Sequence, residues 1–431
     1  ADHHLSTLDD LEHPLRSSRL RTLQATVVLR RARLDGRLDA LPATADQSGE
    51  DDLDTLTLLT RGTTLLDQGD HAKAEQALQR AMKLAGQGNL EHAVLQCGIQ
   101  LAAVAGARGK LSQMDDQAGR AIEYATERGW ARTPHCLPAY TMRCAHAYLR
   151  LDRDATQRFS ALARGLAQSP AALAALVLDT IAASDDATPA DGTTEKLRGR
   201  WRSLGRTQVS PQLIAYLAPT TLQIALWAGQ LDWAADIVEQ VSARLGATAE
   251  HAFLQAALHA HRSKPGQAHR LLAPVLSGNT PALAVTTAID AWLLEASLLS
   301  RADDHHRAHG AIAKALTLAE PLFAVRPFHT AGPPIRDLLV KGTGRFGKLD
   351  RFVSATLAAL PAPRSAPVDQ LTSREHDLLI ELPSMRTTEE IADSLFVSVN
   401  TVKTHLRGIY RKLGVSHRRD AVAVARERGL L

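Results

Sequence analysis

The sequence predicts an all-α chain in which a long array of helical repeats is followed by a small helical domain. Three observations carry this expectation. Ala and Leu dominate an apolar fraction of 45%, and aromatics are only 4%; Ala and Leu lose little entropy in a helix, whereas β-branched and aromatic side chains favour strands. Apolar residues recur at helical spacing nearly throughout, without a convincing alternating run of β type. A turn residue followed by small residues also returns at a long interval, as a repeat array requires.

The repeat is clearest from Leu65 to Ala85 (LLDQGDHAKAEQALQRAMKLA), where Gly69 is followed by Ala81 and Ala85. Gly109, with Ala121 and Ala125, gives the same spacing 40 residues on. Weaker copies run from Gly229 through Val241 to Leu245, and from Asp303 through Ala315 to Ala319. Two antiparallel helices approach closely only across small side chains, and a tight turn needs a residue that tolerates positive φ. A helix pair cannot bury its apolar face alone, so pairs stack. The units resemble tetratricopeptide repeats, although their spacing wanders.

Three polar or proline-rich stretches divide the chain: Leu41–Glu50, Asp185–Glu195 as a loop, and Pro361–Gln370 as a linker whose prolines stop any helix. The expected organisation is a helical-repeat region over 1–360, a linker over 361–370 and a separate helical domain over 371–431. The longest uncharged run, Pro211–Leu231, reads as a buried helix pair rather than a membrane span. Net charge is only +4, but its distribution is uneven. Residues 399–431 carry eight Lys/Arg against two Asp/Glu, and residues 364–398 carry three against seven. A basic block beside an acidic one is a placed electrostatic face. Cys97, Cys136 and Cys144 form no metal-binding spacing and suit a reducing compartment. With a polar start at Ala1 and no apolar leader, the expectation is a cytoplasmic protein without a membrane partner.

The C-terminal segment is the most informative. LTSREHDLLIEL (Leu371–Leu382) opens with Thr372 or Ser373 as a cap and ends at Pro383. Thr387 and Glu390 fit a capping box at the start of a second helix, with Ile391, Ala392 and Leu395 on its apolar face. Ser398 is placed to cap a third helix, Val399–Leu413. At 100° per residue with Lys403 at zero, Val402, Leu406, Ile409 and Leu413 fall between about −60° and −120°. Asn400, Lys403, Thr404, Arg407 and Arg411 fall between zero and about 100°, with Thr401, His405 and Lys412 on a flank near 180°. The polar stripe has Lys, Arg, Asn and Thr but no acid, so it can approach a polyanion and donate to base edges.

On LTSRE, EEIADSLFVSVNTVKTHLRGIYRKLGV and RRDAV, the segment Leu371–Leu431 closely resembles the LuxR-type DNA-binding domain. LPSMRTTEEIADSLFVSVNTVKTHL is similar above all to the MalT-like large regulators, and ERGW (Glu127–Trp130) and RPFHTAGPPIRDLL (Arg326–Leu339) look like their sensor arrays. Asp377 departs from the pattern where Glu is usual. The resemblance implies a four-helix LuxR-type helix-turn-helix domain after a tetratricopeptide-like array. Its third helix would enter the major groove of double-stranded DNA, with Lys403, Thr404 and Arg407 at base edges. Thr401, His405, Arg411 and Lys412 would lie near phosphates. A fourth helix, about Ser416–Arg428, would pair two copies through Ala421, Val424 and Ala425. It also implies a homodimer on DNA, RNA polymerase as a partner, and a small molecule or protein as inducer at the array.

Other motifs carry less. GTGRFGKL (Gly342–Leu349) approaches a phosphate loop, but Leu349 stands where Ser or Thr would hold magnesium and IRDLLV before it reads as a helix. His305, His306 and His309 lie on one helix without a further ligand at metal spacing, and read as surface histidines. Trp201, Trp227, Trp233 and Trp292 read as volume filling, with a ligand role as the alternative. No catalytic constellation, metal site or cofactor is expected. Two other functions fit the sequence: a solenoid adaptor for protein partners, and a fragment of an ATP-dependent switch lacking its ATPase module.

Overall fold

The computed structural model describes residues 23, 26–28, 50–165, 170–184, 192–205, 211–360, 373–384, 386–395, 397–413, 415, 417–427 and 431. It divides into two compact units, Ala1–Leu360 and Pro361–Leu431. The 361–370 stretch and most of Leu41–Glu50 lie outside the described residues. All regular structure described is helical.

From residue 51 onward the first unit has four helices of equal length: α1 (Asp51–Asp67), α2 (His71–Gln87), α3 (Glu91–Ala107) and α4 (Leu111–Glu127). Each has 17 residues. The first three turns share one geometry, and its chemistry explains the repeat. Gly69 sits at φ 82°, its N–H donates to Leu66 O at 3.0 Å, and the N–H of Asp70 donates to Leu65 O at 2.9 Å. That pair of bonds satisfies carbonyls the helix end would leave orphaned, and it requires a left-handed residue. Gly109, Gly229 and Asp303, the other anchors of the repeat, also have positive φ. The 6→1 bond recurs behind them, from Lys110 to Ala105, Gln230 to Ala225 and Asp304 to Leu299. Asn89 and Leu151 do the same at φ 53° and 61° without glycine. The Asp70 and Asp304 carboxylates then cap the following helices.

The small residues do what their recurrence predicts. Ala81, Ala85, Ala125, Ala315 and Ala319 have no exposed surface, and Ala121 is 6% exposed. At Gly62 a Cβ would lie 2.6 Å from Leu78 Cγ, so α1 and α2 pack at backbone distance there. The array continues through α5 (Leu137–Leu149), α6 (Arg153–Arg164), α7 (Pro170–Ser184), α8 (Thr193–Gly205), α9 (Pro211–Trp227), α10 (Leu231–Leu245), α11 (Ala249–His261) and α12 (Pro265–Leu276). It ends in α13 (Thr287–Arg301), α14 (His305–Ala319), α15 (Arg326–Thr330), α16 (Pro333–Gly342) and α17 (Asp350–Ala359).

Two expectations need correction. The uncharged run Pro211–Leu231 holds one helix, α9, with Pro219 inside it, and Leu231 already begins α10. The lost ladder bond at Pro219 is tolerated because most of α9 is buried among neighbouring helices. Thr193–Glu195, assigned to a loop, form the first turn of α8; residues 185–191 lie outside the described residues. No described helix is long and apolar enough to cross a membrane.

The end of the array returns to its middle. Val325 N–H donates to Leu149 O at 2.9 Å. Arg326, 3% exposed, donates to Tyr148 O at 3.3 Å, and its guanidinium lies 4.3 Å from the Tyr148 ring centre. The Tyr148 hydroxyl donates to Thr220 Oγ1 at 2.7 Å, and Thr330 Oγ1 stands 3.4 Å from the same oxygen. These bonds join α5, α9 and α15 across sequence separations of up to 178 residues.

A second tie holds the loop between α12 and α13. Glu250 is wholly buried on α11, and its Oε1 accepts from Leu283 N–H, Ala284 N–H and Thr287 Oγ1 at 2.8, 3.0 and 2.7 Å. Val285 rests on Gly109, where a Cβ would meet it at 2.6 Å. Burial, reinforced by the charge of Glu250, pushes Asp290 up to about 8 from an ordinary 3.8. The folded chain therefore keeps the Asp290 proton through a range in which the unfolded chain has released it. The associated stability is full below the unfolded value and is lost as pH rises toward the folded one. Asp290→Asn, neutral at every pH, is expected to flatten the fall in urea midpoint between pH 5 and 8. An unchanged slope in that variant would contradict the assignment.

Candidate nucleic-acid interface

The second unit contains α18 (Ser373–Glu381), α19 (Thr388–Ser394), α20 (Val399–Leu413) and α21 (Arg418–Glu427). Leu378 and Leu379 of α18, Ile391 and Ala392 of α19, and Val402, Ile409 and Leu413 of α20 form its core. The capping box is present in both directions: Glu390 N–H donates to Thr387 Oγ1 at 3.2 Å, and Thr387 N–H donates to Glu390 Oε2 at 2.7 Å. Val397 N–H closes the turn onto Ala392 O at 3.0 Å. Ser398 Oγ accepts from Thr401 N–H at 3.1 Å and caps α20. Phe396 lies outside the described residues.

The faces of α20 separate as the angles predict. Val402, Ile409 and Leu413 are buried and Leu406 is half-buried. Asn400, Lys403, Thr404 and Arg407 are exposed, and neither Lys403 nor Arg407 forms an ion pair with a described residue. Thr401 and His405, on the flank, are half-buried. Thr404 Oγ1 donates to Asn400 O at 2.9 Å, which leaves its oxygen free to accept. Ser398 Oγ also lies 2.8 Å from Thr401 Oγ1, so these two hydroxyls order the helix entrance. The Arg411 side chain lies outside the described residues.

Three expected site residues sit elsewhere than the resemblance implies. Lys412 does not point outward: its side chain is 14% exposed and its Nζ donates to Glu375 Oε2 at 2.6 Å. It sits where the flank meets the apolar stripe, and a buried carboxylate on α18 holds its ammonium within the domain. Ala421 and Ala425 have no exposed surface and belong to the core. Neither can touch a second copy, because α21 turns them toward α20. Val424 is half-buried and Ala423 exposed, which shifts any pairing face around the helix. Ser416 and Arg428, the expected bounds of the fourth helix, lie outside the described residues.

Three supporting residues were not singled out from the sequence. Arg418 donates to the carbonyls of Arg386, Leu382 and Ser384 at 2.7, 2.9 and 2.6 Å, capping the chain that leaves α18. Glu375 lies three, four and seven residues before Leu378, Leu379 and Leu382, a carboxylate on the core stripe, and that periodicity was the available signal. Gly408 leaves room for it: a Cβ there would meet Glu375 Oε1 at 2.5 Å.

The other motifs are structural. Gly342–Leu349 follows helix α16 rather than a strand, and Asp350 Oδ1 accepts from Gly344 N–H at 2.8 Å. A carboxylate thus occupies the place that a phosphate would need. His305 and His306 are exposed, while His309 stacks on Phe346 with ring centres 4.5 Å apart. No group of three or more metal-binding side chains occurs among the described residues. Trp201 and Trp233 are core residues, Trp292 is partly buried and Trp227 is 54% exposed. The three cysteines are buried and unpaired by disulfides, and burial pushes the thiols of Cys97 and Cys144 up to about 12.

Comparison with known proteins agrees with this geometry. Residues 46–343 match the model of the MalT-like TPR region, and residues 369–425 match that of the bacterial regulatory proteins of the luxR family. The HTH-type transcriptional regulator MalT of Klebsiella pneumoniae subsp. pneumoniae is 37% identical over 100 residues, which are 23% of this chain and 11% of that protein. Its counterpart in Cronobacter sakazakii is 36% identical over 100 residues, with the same shares. The matched part thus spans about a tenth of the length of these relatives.

The Glu375–Lys412 pair gives a test that separates support from contact. Removing one member of a buried ion pair costs about 3–5 kcal/mol. Lys412→Met is expected to lower the unfolding free energy of the domain by that order, measured in urea. It should leave the salt dependence of DNA binding unchanged under conditions where the domain stays folded. A reduced salt slope would return Lys412 to the phosphate contacts.

Proposed function

The chain belongs to the MalT-like TPR family and carries a luxR-family helix-turn-helix domain, and from that premise we propose that it regulates transcription by reading DNA through α20. One observation carries the reading. Asn400, Lys403, Thr404 and Arg407 form an exposed stripe without acids, opposite a buried apolar stripe on the same helix. A helix of this kind fits the major groove, where Arg and Lys pair with guanine and Asn with adenine.

Lys403, Thr404 and Arg407 are the base-reading residues of this proposal, with Asn400 beside them. Ser398, Thr401, His405 and Arg411 contact phosphate. The N-terminus of α20 adds partial positive charge toward the backbone, since its first turn has no acidic residue. Two copies bind one operator, paired through the outer face of α21 at Val424. RNA polymerase is the partner at the promoter, and the cytoplasm is the compartment in which such a regulator works. The array receives the signal, a small molecule or a protein, that shifts the chain between DNA-binding states.

Each of Lys403→Ala and Arg407→Ala is expected to weaken operator binding by about 1–3 kcal/mol and to relax specificity at one base position. Arg411→Ala should weaken all sequences alike and reduce the slope of log K against log salt by about 0.9. Titrations at several salt concentrations read both effects. Wild-type affinity and specificity in the Lys403→Ala, Arg407→Ala double variant would overturn the reading.

A further inference from the structure

The array holds a cavity of about 410 Å³, bounded by α1, α3, α4, α5, α7 and α9 and by the loop before α13. Its size falls within the range of small-molecule sites. Most of its wall is apolar: Ile99, Met114, Met142, Leu178, Leu213 and Leu283 all face it. None of the expected tryptophans lines it.

The polar groups on the wall are few, and several have partners already. The Tyr148 hydroxyl donates to Thr220, and Thr141 Oγ1 donates to Leu137 O at 3.0 Å. The Val285 backbone hydrogen-bonds Tyr216, and burial pushes that phenol up to about 12, so it stays neutral. The amides of Gln100 and Gln212 and the exposed carboxylate of Asp67 complete the polar lining. Among the described residues the wall has no Lys, Arg or His.

An anion entering this cavity would lose its hydration, and no described residue of the wall supplies a compensating cation. A polyhydroxylated molecule would leave most of its hydroxyls without partners. Methionines adapt to irregular apolar shapes, and two of them face the space. We infer that the cavity binds an uncharged, predominantly apolar small molecule, with its few polar atoms at Gln100 and Gln212. This deepens the sensing role proposed for the array and takes its regulatory meaning from that reading.

The site is also connected to the rest of the array. Leu283 closes one wall, and its own N–H is bonded to the buried carboxylate of Glu250. Tyr148 closes another, and it carries the bonds to Thr220 and Arg326 that join the end of the array to its middle. A molecule that presses on either wall therefore acts on a tie between distant helices.

The experiment uses the 431-residue chain and two probes of nearly identical ring structure. N-phenyl-1-naphthylamine is neutral; 8-anilinonaphthalene-1-sulfonate adds a sulfonate. The neutral probe is expected to bind with one-to-one stoichiometry, at least tenfold more tightly than the sulfonate. Ala103→Phe and Ala145→Phe, which fill the cavity from α3 and α5, should each weaken it at least tenfold with unchanged circular dichroism. If either phenylalanine unfolds the array, Met142→Lys carries the test: an ammonium in the wall should reverse the preference toward the sulfonate. Equal affinity for both probes, or folded variants that all retain the wild-type preference and affinity, overturns the inference. DNA retention is measured in parallel. A change in retention on probe binding supports the sensing role, and unchanged retention supports the site but counts against that role; failure of the probe-free wild type to bind DNA strikes at the reader proposal alone.

Discussion

Close approach between helix backbones is the constraint on which the array depends. It is met by alanines without exposed surface, by Gly62 under Leu78, and by turns short enough to keep neighbouring helices in contact. A larger residue at Ala81 or Ala85 would have to displace a neighbouring helix, and cores resist such overpacking. The left-handed turn follows from the same need. It reverses the chain in three residues while satisfying the carbonyls at the helix end, so no longer connection is required.

The C-terminal domain meets a different demand. It must hold one helix firmly enough that a row of cations faces outward with little reorganisation. Capping by Ser398 fixes the start of α20, the Glu375–Lys412 pair fixes its last turn, and Arg418 fixes the chain leaving α18. Two basic side chains so near in sequence, Arg407 and Lys412, therefore differ in exposure. One lies on the exposed stripe; the other sits where the flank meets the core.

Much of this was legible in the sequence, because it rests on local periodicity. The turns at Gly69, Gly109, Gly229 and Asp303, the capping box at Thr387 and the apolar stripe of α20 all follow from residues a few positions apart. What escaped was set by tertiary neighbours. Ala421, Val424 and Ala425 look interchangeable on a helix until α20 decides which of them turn inward. The run Pro211–Leu231 reads as a helix pair until the structure shows a single helix, α9, continuing through Pro219. Glu250 and Asp290 give no local sign of their burial, since the loop that Glu250 pins arrives from more than 30 residues away. The cavity is similarly invisible, because its wall draws on six helices and a loop.

The bonds among Tyr148, Thr220, Arg326 and Thr330 set an order on the making of the chain. Each hairpin of the first four helices is local and can form as soon as its residues leave the ribosome. The join to α15 must wait for nearly two hundred further residues, and contacts of such separation form slowly. During synthesis the half-built array therefore lacks the bonds that Arg326 and Thr330 bring to α5 and α9. Chaperone engagement and proteolytic loss fall in that interval, so damage to this join would show first as reduced yield in the cell.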